Sequence, residues 1–114
     1  TKPKSDSGSK LIMQIIFPEG SAALPGKAES PLRSVAKKII KDPSLNIQLR
    51  AYAKSSADGS AQSKRISLSR ALAVRKFLID EGVPSVRMDV RGLGDKSAGD
   101  KPDRLDILTV DGNS

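Results

Sequence analysis

Arg70 is the residue whose setting asks for chemistry. Advancing about 100° per residue along the helical pattern that contains it places Ser67, Ala71, Val74 and Leu78 on one stripe, with Ile66 and Phe77 just beyond it. Arg70 falls between Val74 and Phe77. A guanidinium inside an apolar arc is costly to desolvate unless a carboxylate or a ligand anion takes its donors. An internal salt bridge, or an arginine lying along the helix edge with its head in water, satisfies the same pattern. Lys64, Arg65, Arg75 and Lys76 read as a solvated face. Leu68, Leu72 and Ile79 form a second apolar strip on this helix; burial between the sheet and the first helix explains it more simply than a partner surface does.

The remaining candidates carry less. Gly92-Leu93-Gly94-Asp95 follows a strand but lacks the third glycine and the following helix of a dinucleotide loop, so a tight turn with positive φ is the expectation. Among the carboxylates Asp89, Asp95, Asp100, Asp103 and Asp106, two lie on outward strand positions, Asp89 and Asp106. Pairing with Arg87, Arg91 or Arg104 across strands suits them better than acid–base work. The chain has no histidine and no cysteine. That removes the usual zinc sites, thiol nucleophiles, serine–histidine triads and histidine acid–base pairs together. The expectation is a protein that is not an enzyme, with no catalytic residue, no metal and no cofactor.

The 114 residues are enough for one ordinary domain. A content of 37% hydrophobic and 29% charged residues is neither that of a disordered chain nor that of a membrane-spanning one. A net charge of +7 favours anionic partners such as nucleic acid, anionic lipid or an acidic polymer. Nucleic acid is not expected, because Phe17, Tyr52 and Phe77 are the only aromatics and provide almost no stacking platform. The chain opens at Thr1 without a leader pattern, so it is read as a processed piece of a longer protein.

The elements that must position Arg70 follow from pattern. Residues 1–10 are mostly Ser and Lys with Gly and Pro and no residue suited to a core, and are expected to be a flexible tail or linker. The domain is placed at 11–111, with a disordered end at 112–114. The apolar run 11–17 reads as a strand covered on most of both faces. Ser30-Pro31 reads as an N-cap and first turn, opening a helix that buries Leu32, Val35, Ala36, Ile39 and Ile40 and stops at Asp42-Pro43. Leu45, Ile47, Leu49 and Ala51 alternate with Asn46, Gln48 and Arg50 as a strand. A loop, 54–62, precedes the long helix 63–81, which ends at Gly82 and Pro84. Val86, Met88 and Val90 mark a third strand, and residues 104–110 a fourth. The prediction is an α+β protein of order βαβαββ, a two-layer sandwich with two helices on one face of a small mixed sheet and the last two strands paired antiparallel.

These residues resemble a family. Ile66-Ser67-Leu68-Ser69-Arg70-Ala71, followed by Val74, Phe77 and Leu78, is similar to the helix signature of OmpA-like peptidoglycan-binding domains, Leu-Ser-x-x-Arg-Ala-x-x-Val-x-x-Tyr-Leu. Phe17 with Ser21-Ala22-Ala23-Leu24, Gly82-Val83-Pro84, Gly92-Leu93-Gly94-Asp95 and Arg104-Leu105-Asp106-Ile107 resemble the family's other motifs, in order, across about residues 11 to 110. The resemblance implies non-covalent binding of peptidoglycan in the periplasm, as part of a larger protein held at the outer membrane or elsewhere in the envelope. In such domains an Asp in a Thr-Asp-x-x-Gly loop and the signature Arg hold the amine and carboxylate of diaminopimelate in the stem peptide. An arginine fork takes a carboxylate bidentately, and a carboxylate takes an ammonium.

Carried over residue by residue, the signature Arg is Arg70. The Asp position falls on Lys54 or Ser55, with Asp58 as the substitute carboxylate. The Asn before the helix is Ser63, and the doubled Arg of the last loop is Asp103-Arg104. The ligand-binding set is therefore Arg70, Asp58, Lys54, Ser55 and Arg104, and the expected function is a cell-wall anchoring module. The alternative keeps the fold without diaminopimelate: a protein-interaction or assembly module, or a domain that takes another anion through Arg50, Lys54 and Arg70.

Overall fold

A computed structural model describes residues 9–55, 60–96 and 101–111, apart from the side chains of Ser9, Ser60 and Asp111. The elements are β1 (Ser9–Ile16), α1 (Glu29–Lys41), β2 (Leu45–Ala51), α2 (Ser60–Asp80), β3 (Met88–Gly92) and β4 (Arg104–Asp111), with short 3-10 turns at Gly26–Ala28 and Ser85–Arg87. The sheet order is β1-β4-β2-β3. Strand β4 runs antiparallel to both β1 and β2, and β3 runs parallel to β2. Leu32, Ala36 and Ile39 of α1 and Ala71, Val74 and Leu78 of α2 share one core with Ile15, Ile47, Leu49, Ala51, Leu105 and Ile107 of the sheet. This is the expected α+β sandwich of two helices on a four-stranded mixed sheet.

The topology corrects one pairing. β3 and β4 are not neighbours; β4 inserts between β1 and β2, where Ile107 lies level with Met13 on one side and Leu49 on the other. Leu105 and Ile107 are fully buried, and such a strand gains most from a central position. Short β3, with exposed Asp89 and Arg91, suits an edge, where charges discourage pairing with other chains. The opposite edge is β1, so the reading of a strand covered on both faces also fails: Ile15 is buried while Leu11 and Ile16 are exposed.

Local boundaries shift for identifiable reasons. Helix α1 starts at Glu29, following the 3-10 turn, with Ala28 in the cap position. Ser30 and Pro31 therefore lie inside its first turn, where a missing N–H costs nothing because that donor has no partner in a helix anyway. Val86 falls in the turn before β3 and is exposed. Of the expected tail, Ser9 and Lys10 open β1; residues 1–8 and 112–114 lie outside the described residues.

Two glycines bring α2 onto the sheet edge. A Cβ on Gly92 would lie 3.0 Å from the Cα, Cβ and backbone N of Leu68, so helix and strand touch there backbone to backbone. Gly94 takes φ +60°, and its N–H donates to Ser67 Oγ at 2.8 Å. The Gly-Leu-Gly-Asp stretch is thus explained by a close approach and a turn. Gly92→Ala is expected to lower stability by about 1–3 kcal/mol through overpacking against a helix backbone that cannot yield locally, measurable by urea unfolding; an unchanged midpoint would show that α2 can move away freely.

On the outer face of the sheet Asp89 accepts hydrogen bonds from the Gln48 amide at 2.9 Å and from Arg91. These bonds, led by Gln48, hold its carboxyl below the usual 3.8. A carboxylate with a lowered folded pKa contributes stability above its unfolded value, and that contribution is lost as pH falls through the folded value. Stability should therefore decline as pH drops below about 4, and Asp89→Asn should flatten that decline in urea midpoints measured between pH 5 and pH 2.5. Asp106, the other outward carboxylate, accepts from Arg104 of its own strand. Both pairings lie along one strand rather than across two. Arg87 instead donates to the carbonyls of Leu45 and Asp42.

Candidate functional site

Three connections meet at one end of the sheet: the segment after β1, the segment after β2 and the residues leading into β4. Arg70, about three turns into α2, points into that junction and is fully buried, at 0% exposure. Its guanidinium donates from Nε to the Ser21 carbonyl at 2.7 Å, from one terminal nitrogen to the Tyr52 carbonyl at 2.7 Å and to Asp103 Oδ1 at 3.1 Å, and from the other to the Pro18 carbonyl at 3.0 Å. Its flat face lies 4.9 Å from the centre of the Phe17 ring. One side chain thus ties all three connections to α2. An arginine can do this because its donors spread in a rigid planar fork.

Asp103 supplies the carboxylate partner, and the full burial of Arg70 excludes an arginine lying along the helix edge with its head in water. The Asp103 backbone carbonyl accepts the Phe17 N–H at 3.0 Å. Its Oδ1 accepts from Arg70 and from the Lys54 backbone N–H at 3.0 Å, and its side chain remains 15% exposed. The internal salt bridge weighed for Arg70 is therefore present. Sequence reasoning noted Asp103 among five carboxylates and at a position where the family has an arginine, but not as the partner of Arg70; the signal available was that a buried guanidinium demands a nearby carboxylate, without saying which one.

Lys54 is held by its backbone, while its tip reaches the surface. Asp103 takes its N–H, and the hydroxyl of buried Ser63 donates to its carbonyl at 2.9 Å. Its ammonium extends to an exposed ion pair with Glu19 at 3.7 Å, a pair of small worth in water. Ser55 follows, exposed at the same mouth. Arg104 lies over the Tyr52 ring, 4.3 Å from its centre, and donates to Asp106 and to the Lys101 carbonyl. The Tyr52 N–H donates to the Arg104 carbonyl at 2.8 Å, which fixes the two segments side by side. Arg70, Lys54 and Arg104 are thus brought to one place, although Arg70 lies beneath its surface. Asp58 lies outside the described residues.

Other parts of the sequence reading are resolved here too. Leu68, Leu72 and Ile79 are exposed, so α2 is not enclosed on that side; it lies over β2 and the edge strand β3, beyond the cover of α1. A cleft of about 270 Å³ lined by Ala61, Lys64, Leu93, Gly94, Asp95 and Lys96 opens beside the start of α2, but it includes none of Arg70, Lys54 or Arg104. No group of His, Cys, Asp and Glu suited to a metal ion occurs among the described residues, and no described helix is long and apolar enough to cross a membrane.

The sequence profile of the OmpA family matches residues 16–105. The peptidoglycan-associated lipoprotein of Burkholderia pseudomallei superimposes with a TM-score of 0.77 at 20% identity, covering 84% of this chain and 88% of that one. The OmpA-like domain of FopA1 from Francisella tularensis gives 0.77 at 15% identity, over 90% and 80%. The C-terminal domain of Helicobacter pylori MotB gives 0.73 at 22%, over 90% and 89%. Among curated proteins no sequence relative matches the chain.

Proposed function

Since the chain belongs to the OmpA family, we propose that it is a non-covalent peptidoglycan-binding module that anchors an envelope protein to the cell wall from the periplasm. The observation that carries this reading is the junction around Arg70. Three separate connections are locked there by one buried arginine, through Pro18 and Ser21 after β1, Tyr52 after β2 and Asp103 before β4, and ionic groups of both signs, Lys54, Glu19 and Asp103, are presented at its mouth. A braced mouth with few charges, one of them the fixed carboxylate of Asp103, suits recognition of a small ionic group on a polymer. Lys54, Ser55 and Arg104 line the proposed site, Arg70 organises it, and diaminopimelate of the stem peptide is the proposed ligand. The work is binding alone, with no covalent step. The similarity in fold to a peptidoglycan-associated lipoprotein is consistent with this role.

The test is a ¹⁵N-HSQC titration with a diaminopimelate-containing muropeptide at physiological salt, beside co-sedimentation with purified sacculi. Saturable shifts at Lys54, Ser55, Asp103 and Arg104 are the expected result, with binding that persists as salt is raised. Attraction by the +7 charge alone would weaken steeply with salt and move shifts over the whole basic surface. A second reading, a divergent OmpA-like module that serves protein interaction or assembly, is favoured by the complete burial of Arg70. It becomes the conclusion if no shift occurs at millimolar muropeptide.

A further inference from the structure

The geometry points to Asp103, not Arg70, as the residue that meets the ligand's ammonium, with Lys54 taking the neighbouring carboxylate and Arg70 acting as the positioning residue beneath them. This rests on the wall-binding reading and assigns the roles within its site. Arg70 already holds three carbonyls and a carboxylate and is fully buried. To fork onto a ligand carboxylate it would have to release Asp103 or open the junction.

Asp103 is differently placed. Oδ1 takes both internal donors, and no donor reaches Oδ2 among the described residues. Every buried side-chain polar atom described has a partner, so Oδ2 is an open acceptor at the surface of a carboxylate already fixed in orientation. Its backbone is anchored by Phe17. Lys54 stands next to it, with its backbone gripped by Asp103 and Ser63 and its ammonium able to leave an exposed pair with Glu19.

The charge pattern selects the ligand class. A plain amine at Asp103 would meet the Lys54 ammonium and the guanidinium of Arg70 behind the carboxylate. A plain carboxylate at Lys54 would meet Asp103 and Glu19. A centre that carries an ammonium and a carboxylate on the same carbon satisfies both neighbours at once. The preferred ligand is therefore a zwitterionic amino-acid centre, such as the free end of diaminopimelate.

Three probes separate the roles: a stem tripeptide ending in diaminopimelate, its lysine analogue, which keeps the side-chain amine but lacks the carboxylate on the same carbon, and its form acetylated at that side-chain amine. On the unaltered domain, HSQC titration is expected to show each analogue binding about tenfold or more weakly than the parent. Asp103→Asn, which keeps an acceptor for Arg70, is expected to weaken the parent about tenfold with little further loss for the acetylated probe. Lys54→Met should weaken the parent and leave the lysine analogue nearly unchanged. Equal losses for parent and acetylated probe in Asp103→Asn would mean that Asp103 acts only by supporting Arg70, and would overturn the proposal while wall binding stands. If Asp103→Asn fails to fold, the unaltered domain and Lys54→Met decide: equal affinity for all three probes overturns it. An unaltered domain silent to every probe at millimolar concentration removes the wall-binding reading itself, and this assignment with it.

Discussion

Arg70→Met is expected to cost about 3–5 kcal/mol of stability, the range for removing one partner of a buried ion pair. Three features set that size. The guanidinium is fully buried; its loss leaves the carbonyls of Pro18, Ser21 and Tyr52 without their donor; and Asp103 keeps its charge with only the Lys54 N–H left on Oδ1. Against a typical total of about 5–15 kcal/mol, such a loss brings the domain close to unfolding at room temperature. Urea unfolding followed by circular dichroism measures it. Asp103→Asn should cost less, because an amide oxygen still accepts from Arg70. A variant at Arg70 as stable as the parent would show that the junction is not held by this side chain. The consequence for function is direct: lost wall binding in an Arg70 variant reports a missing ligand contact only if the variant is shown to be folded.

Leu78→Ala is expected to cost about 2–5 kcal/mol, and Leu72→Ala, six residues earlier on the same helix, no more than about 0.5 kcal/mol. Leu78 is fully buried against the sheet, whereas Leu72 is 46% exposed. Truncating Leu78 removes apolar burial and leaves a cavity between α2 and the sheet, which close packing around it prevents from collapsing. Equal costs at the two positions, measured by the same unfolding experiment, would place α2 in a different rotation about its axis from the one described. The comparison matters because one helix carries two apolar strips, and only its packing separates them.

That helix shows where sequence reading stops. Its 3.6-residue period placed Ala71, Val74 and Leu78 on the inner face, and they are buried there. The second strip, Leu68, Leu72 and Ile79, is apolar and helically spaced too, yet it is exposed, because α2 lies over the edge of the sheet with no element beyond it among the described residues. Periodicity states which residues share a face; it does not state what lies opposite. Strand pairing has the same limit. Alternation identified β2, but the central place of β4 follows from long-range competition for neighbours, which no local pattern contains.

For the site, the residue types in the chain were enough to single out Arg70 as a guanidinium that must either meet an anion or reach water, to show that histidine and cysteine chemistry is absent, and to show that the order of elements resembles the OmpA-like fold. Those conclusions rest on local physics: the cost of a desolvated guanidinium, the side-chain inventory, and helix and strand periods. Only the tertiary structure decided which anion answers Arg70. Asp103 lies 33 residues away along the chain, and it reaches Arg70 because β4 inserts beside β2 and brings its leading loop against the end of that strand. The placement of Lys54 beside the same carboxylate, with its backbone held by Ser63 of α2, arises from that insertion as well. A buried charge sets a local requirement; the fold's long-range topology supplies the group that meets it.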